Sequence, residues 1–266
     1  MAARQKRMNP IAIKIGGSTL GSADTTIEDL VTLQKKGVPL VVIHGGANVV
    51  STWLERLGIE TSFVRGLRIT DLETLKVVTA VLAGLVNKEL VSAIWRQGGK
   101  AVGLSGVDGG LILAKNRRPE LGYTGEELKV NVAVIEILIK AGYIPVIAPV
   151  SLGLLEGSDT HTNLLNVNGD TAAGEIAAAL KVEKLIFLTD VSGLYDNSKK
   201  LIRTLNPQDA RELIDYGVAK GGMVAKIEAC LLAMTKVPLT RIIDGRVPHA
   251  LLDEFEGKGD GTTIGW

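Results

Sequence analysis

The chain has 266 residues, 46% of them hydrophobic, with 30 basic and 29 acidic side chains and a formal net charge of +1; this balance excludes a global field that would draw in nucleic acid or an anionic membrane, so recognition has to be local. One cysteine, Cys230, excludes an intramolecular disulfide and a cysteine-based metal cluster, and the histidines, His44, His161 and His249, lack metal-ligand spacing. Apolar residues fall in short runs such as Pro39–Ile43 rather than in the ~20-residue stretches that span a bilayer, and the basic Met1–Pro10 opens no secretory core because Lys14 interrupts Ile11–Ile15; a cytoplasmic chain with no membrane segment is expected.

In chain order, the predicted strands are Ile11–Ile15, Leu40–Ile43, Ala101–Leu104, Ile144–Ala148, Lys184–Leu188 and Thr240–Ile243. Longer segments of helical period separate them, the pattern of a parallel sheet covered by helices. Thr25 and Glu28 have capping-box spacing before a helix that Gly37 and Pro39 end, and Thr70 with Glu73 repeats that spacing before a helix over about 71–86. Asn131 is placed to cap Val132–Ala141, Asp170–Leu180 is Ala-rich, and Gly221–Met234 forms a further helix that buries Cys230. Residues 106–129, with short runs Leu111–Ala114 and Leu121–Thr124, suggest hairpins decorating the sheet. The fold class is α/β, a three-layer α/β/α sandwich around a mainly parallel sheet, with two lobes, 1–180 and 181–266.

Chemistry gathers at the strand ends. Lys14-Ile15-Gly16-Gly17 and His44-Gly45-Gly46-Ala47-Asn48 each follow a strand, and glycines there let the backbone approach an anion closely. The second turn leads into a helix whose free N–H groups suit a phosphate or carboxylate. Neither turn matches a P-loop, and no G-x-G-x-x-G occurs. Lys226 lies one turn inside the helix opened by Gly221-Gly222, either solvated or facing a phosphate. In Asn166-Val167-Asn168-Gly169-Asp170, Asp170 either caps its helix or holds Lys14 and Lys226 in position. Arg68, in Gly66-Leu67-Arg68-Ile69-Thr70, is either a solvated loop residue or a bidentate fork for a carboxylate.

Together with Leu188-Thr189-Asp190-Val191-Ser192-Gly193, these motifs resemble the amino acid kinase family over about Pro10 to the C-terminus, and most of all its branch that phosphorylates N-acetyl-L-glutamate in arginine biosynthesis. The resemblance implies an N-terminal lobe for the acyl amino acid and dimerisation, and a C-terminal lobe for ATP. Lys14, Lys226, Asp170, Gly17 and Gly46 become the catalytic set, with amides of Gly16, Gly17, Gly45 and Gly46 stabilising negative charge. Gly45, Gly46, Arg68, Asn166 and Asn168 would hold the acceptor, Arg68 and Asn166 taking its α-carboxylate. Lys14, Gly16, Asp190, Gly193, Tyr195 and Lys226 would hold ATP. Mg²⁺ would be carried by the nucleotide phosphates, with no protein ligand. The implied partners are small-molecule substrates and a second copy in a homodimer, with room for a nitrogen-signalling protein and none for nucleic acid or membrane.

Two departures from the family pattern matter. Ala47 stands where a third glycine is common, and only about ten residues precede the first strand, too few for the long N-terminal helix of arginine-inhibited members. Two rival readings share the motifs. One is a kinase of carrier-linked α-aminoadipate, which the Arg68 segment disfavours; the other is a non-catalytic nucleotide sensor, which the joint presence of Lys14, Lys226 and Asp170 disfavours.

Overall fold

The computed structural model describes residues 9–16, 25–64, 66–154 and 162–266. Strand Ile11–Ile15 is flanked on one side by Leu40–His44, Ile144–Ala148 and Ala101–Ser105, and on the other by Lys184–Thr189, Leu239–Asp244, Thr262–Gly265 and Thr204–Leu205. The six central strands run parallel; Thr262–Gly265 turns antiparallel to Leu239–Asp244 and carries Thr204–Leu205 at the edge. Ile11–Ile15, Leu40–His44 and Ile144–Ala148 are buried along their whole length, as parallel strands covered on both faces must be.

Side-chain alternation divides the core into two layers. Ile11, Ile13 and Ile15 pack on the side of helices Thr26–Lys35, Ala47–Arg56, Leu72–Arg96 and Ala250–Phe255. Ala12, Val41, Ile43 and Phe187 pack on the side of Ala133–Lys140, Gly169–Leu180 and Gly222–Ala233. The expected sandwich is thus present, and one sheet continues across the boundary expected near residue 180, because Ile11–Ile15 pairs directly with Lys184–Thr189.

Several local expectations need correction. The helix expected over 71–86 continues to Arg96 through a π turn at Ala80–Val86. At 25 residues, with an 18-residue stretch of mean hydropathy 1.6, this helix is long and apolar enough to cross a membrane, yet Leu75, Val78, Leu82, Val86, Leu90 and Ile94 are buried in the molecule. Asp71, rather than Thr70, caps it by accepting from Thr74 N–H. Thr25 makes no cap bond; its hydroxyl accepts from His249 N–H and ties the C-terminal loop to the first helix. Within 106–129 only one strand follows expectation: Ile112–Lys115 and Thr124–Val130 join Val150–Gly153 and Leu164–Val167 in a closed four-stranded sheet.

Candidate active site

Lys14 shares Ala12's face of its strand, so it points beneath the N-terminus of helix Gly169–Leu180. That helix crosses Gly222–Ala233 closely: a Cβ on Gly174 would lie 2.7 Å from the Ala229 carbonyl. One turn toward the N-terminus from this crossing stand Asp170 on one helix and Lys226 on the other. Asp170 Oδ1 lies 2.6 Å from Lys14 Nζ and Oδ2 lies 3.1 Å from Lys226 Nζ. Asn168, not Asp170, caps the helix, accepting from the N–H groups of Asp170 and Thr171, which frees Asp170 to bridge the lysines. Burial pushes the Asp170 carboxyl up, but the ammonium groups of Lys14 and Lys226 outweigh it and hold the group below the usual carboxylate range. The cluster carries two positive charges and one negative, a net cation at the floor of a cavity of about 230 Å³.

The glycine turns contribute differently from expectation. Gly16 N–H donates to Leu188 O and Gly45 N–H to Ile15 O, because the parallel ladder runs one residue past each strand end. Both are spent as anion donors in this conformation. Gly46 and Ala47, in the first turn of Ala47–Arg56, keep N–H groups that have no intrahelical partner, and both line the cavity. Ala47 therefore supplies the amide a third glycine would. Gly46 has φ +146°, and a Cβ there would meet Leu82 Cδ2 at 2.7 Å, so the π turn packs against a position that only glycine fills. Gly17 lies outside the described residues.

At the other end of the cavity Arg68 is buried, its guanidinium 4.6 Å from the centre of the Phe63 ring. Nη2 donates to Ala47 O (3.1 Å) and Ser51 Oγ (2.9 Å), while Nη1 is buried with no hydrogen-bond partner. Among the described residues no carboxylate pairs with it, and burial lowers its pKa from the ordinary value. A buried cation with an unfilled donor calls for an anion. Its backbone is pinned by Thr70 Oγ1 and Thr124 Oγ1, both donating to Arg68 O. Asn166 spends its backbone N–H on Tyr123 O and directs Nδ2 to Thr70 Oγ1, so it braces the Arg68 loop. Asn168 lines the cavity, but its carbonyl oxygen is committed to the cap. Ser51, Phe63 and Thr124 were not legible as site residues, because single hydroxyls and an aromatic carry no spacing signal.

A second cavity, of about 180 Å³, is walled by Val191, Gly193, Leu194, Tyr195, Leu213 and Met223 among others. Gly193 and Tyr195 line this cavity, whereas Asp190 is exposed and forms no part of its wall. Met223 faces this slot and Lys226, three residues on, faces the first cavity, so one helix links them. Asp170 is the sole acidic side chain lining the first cavity and both its oxygens face ammonium groups. That leaves a metal ion no free carboxylate there among the described residues. The arrangement suits two anions brought together between fixed cations.

The amino acid kinase family matches residues 9–244. The chain is 44% identical over 264 residues to acetylglutamate kinase of Dehalococcoides mccartyi (strain CBDB1), covering 99% of this chain and 97% of that one. It is 46% identical over 265 residues to acetylglutamate kinase of Caldanaerobacter subterraneus subsp. tengcongensis, covering 96% and 87%. The structure of smu.665 from Streptococcus mutans UA159 superposes with a TM-score of 0.82 at 27% identity, over 96% of this chain and 98% of that one. The chain belongs to the amino acid kinase family.

Proposed function

We propose that the chain transfers the γ-phosphoryl group of ATP to the γ-carboxylate of N-acetyl-L-glutamate, forming N-acetyl-L-glutamyl 5-phosphate for arginine biosynthesis. One observation carries the reading: a cavity with the Lys14–Asp170–Lys226 cluster at one end and the unpaired Nη1 of Arg68 at the other, as a substrate with two carboxylates requires. Arg68 takes the α-carboxylate and leaves the γ-carboxylate facing the lysines. The acceptor is ionised at neutral pH, so no general base is needed. What limits the step is repulsion between two anions and their alignment. Lys226 neutralises the phosphoryl oxygens from the nucleotide side and Lys14 bridges toward the acceptor. The Gly46 and Ala47 amides add donors for the developing negative charge.

The slot bounded by Gly193 and Tyr195 takes the nucleoside, with residues 1–180 serving the acyl amino acid and 181–266 serving ATP. Mg²⁺ would be held by the nucleotide phosphates rather than by side chains of this chain, which suits a cation that keeps its waters, and would neutralise charge on those phosphates. A cytoplasmic homodimer belongs to the same reading, and sedimentation tests that state. The deciding experiment traps acyl phosphate with hydroxylamine from ATP and N-acetylglutamate, free glutamate or carrier-linked α-aminoadipate. Hydroxamate from N-acetylglutamate alone is expected, and turnover only with the carrier-linked acceptor would sink the assignment.

A further inference from the structure

The Gly45–Gly46 peptide is able to turn over, since glycine on both sides removes the steric barrier that holds other peptides in one orientation. In a trans peptide the C=O and N–H point opposite ways. One orientation therefore aims Gly46 N–H into the cavity, and the flipped one aims the Gly45 carbonyl at the incoming anions.

His44 lies beside this peptide. It is fully buried at the end of its strand, and its Nδ1 lies 2.8 Å from Gly45 O. A carbonyl only accepts, so Nδ1 carries the proton. Its Nε2 lies 3.2 Å from Asn87 Nδ2. Asn87 is also buried, and its orientation is fixed on every side: Nδ2 faces the carbonyls of Val146 (2.9 Å) and Leu104 (3.2 Å), and Oδ1 accepts from Lys88 Nζ at 2.9 Å. The amide nitrogen is thus a donor, and Nε2 must be bare.

We propose that His44 is a positioning residue, locked by Asn87 as the neutral Nδ1–H tautomer, that holds the Gly45 carbonyl inward and thereby presents Gly46 N–H to the transferring phosphoryl group. The inference rests on the reading of the cavity as a phosphoryl-transfer site. Burial, with Lys14 and Lys88 nearby, keeps the ring neutral by lowering its pKa to about 4. Gly45 Cα, Lys14 Cε and His44 O all lie within 3.7 Å of where a Cβ on Gly169 would stand, so the turn, the lysine and the Asp170 helix meet at one point.

The test uses the full chain. Two-bond ¹H–¹⁵N spectra at pH 6–8 are expected to show His44 protonated at Nδ1 and bare at Nε2; the opposite tautomer overturns the proposal. His44→Asn keeps an N–H donor near the Nδ1 position, whereas the isosteric His44→Leu removes it. Removing one such aligned donor costs about 10²-fold in kcat, so His44→Leu should fall by that factor while His44→Asn stays within about fivefold of wild type, with both KM values little changed. Equal losses in the two variants, or a His44→Leu enzyme within threefold of wild type, would overturn it. Should His44→Leu fail to fold, a 10²-fold loss in a folded His44→Asn enzyme does the same. If the wild type yields no hydroxamate from any acceptor, the phosphoryl-transfer reading fails, while the spectra still decide the tautomer lock.

Discussion

Two buried clusters in this molecule have the same composition: one carboxylate held between two cations. Asp170 sits between Lys14 and Lys226, and Glu254 sits between Lys184 (2.7 Å) and Arg241 (2.8 Å). Their surroundings differ. Arg241 also donates to Thr263 Oγ1 and Gly259 O, so its fork is filled by the protein and staples the last helix to the sheet. Among the described residues Lys14 and Lys226 each meet one partner, Asp170, and their remaining N–H groups face a cavity. Stoichiometry of charge does not mark a functional site; unfilled donors beside open volume do.

That contrast can be broken at either cluster. Glu254→Gln removes the anion from the filled one and leaves the buried Arg241 facing the half-buried Lys184 without it, a change of the kind that costs about 3–5 kcal/mol. Urea unfolding should show that loss with kcat per folded molecule unaltered; an activity loss without a stability loss would erase the distinction. Lys226→Ala is the mirror experiment. It leaves Asp170 paired with Lys14, so the fold should survive, while kcat should drop about 10²–10³-fold with near-UV circular dichroism unchanged.

Arg68 separates binding from chemistry within the active cluster's own cavity. Arg68→Lys keeps the charge but loses the planar fork, the Phe63 stacking and the bonds to Ala47 O and Ser51 Oγ. The KM for N-acetylglutamate should rise about 10–100-fold with kcat within threefold, the pattern of a lost uniform-binding contact. A fall in kcat at constant KM would place Arg68 at the reacting centre instead.

Much of this was legible in the sequence, for reasons that also explain the rest. Short apolar runs gave the six parallel strands because strands buried on both faces have no alternation to blur. Lys14, Asp170 and Lys226 each lie beside a glycine-bearing strand or helix end, but the resemblance to the amino acid kinase family was what grouped them. Which amides remain free was not legible: Gly16 and Gly45 look as available as Gly46 until the ladder is seen to run one residue further. Caps misled in the same way, since Thr25, Thr70 and Asp170 all have capping chemistry, yet only tertiary neighbours such as His249 N–H decide what each oxygen accepts. The Glu254 cluster spans residues 184, 241 and 254, with no local pattern to find.

The smallest effect concerns His44, a base that belongs to neither cluster but lies behind the active one. Its ring is held neutral by burial with a pKa of about 4 against 6.5 for the ordinary imidazole. Between those values the unfolded chain binds the proton and the folded chain does not, so stability rises with pH and is lost as pH falls through the window. From pH 8 to pH 5.5 that amounts to about 1.4 kcal/mol. His249 acts with the opposite sign: its hydrogen bond to Asp29 raises its pKa, so its contribution is full below the unfolded value and fades as pH rises through the folded one. Comparing wild type with His44→Asn cancels His249 and isolates His44. The wild type should lose about 1.4 kcal/mol more than the variant over that range in urea melts, whereas parallel profiles would mean that His44 titrates alike in the folded and unfolded chains.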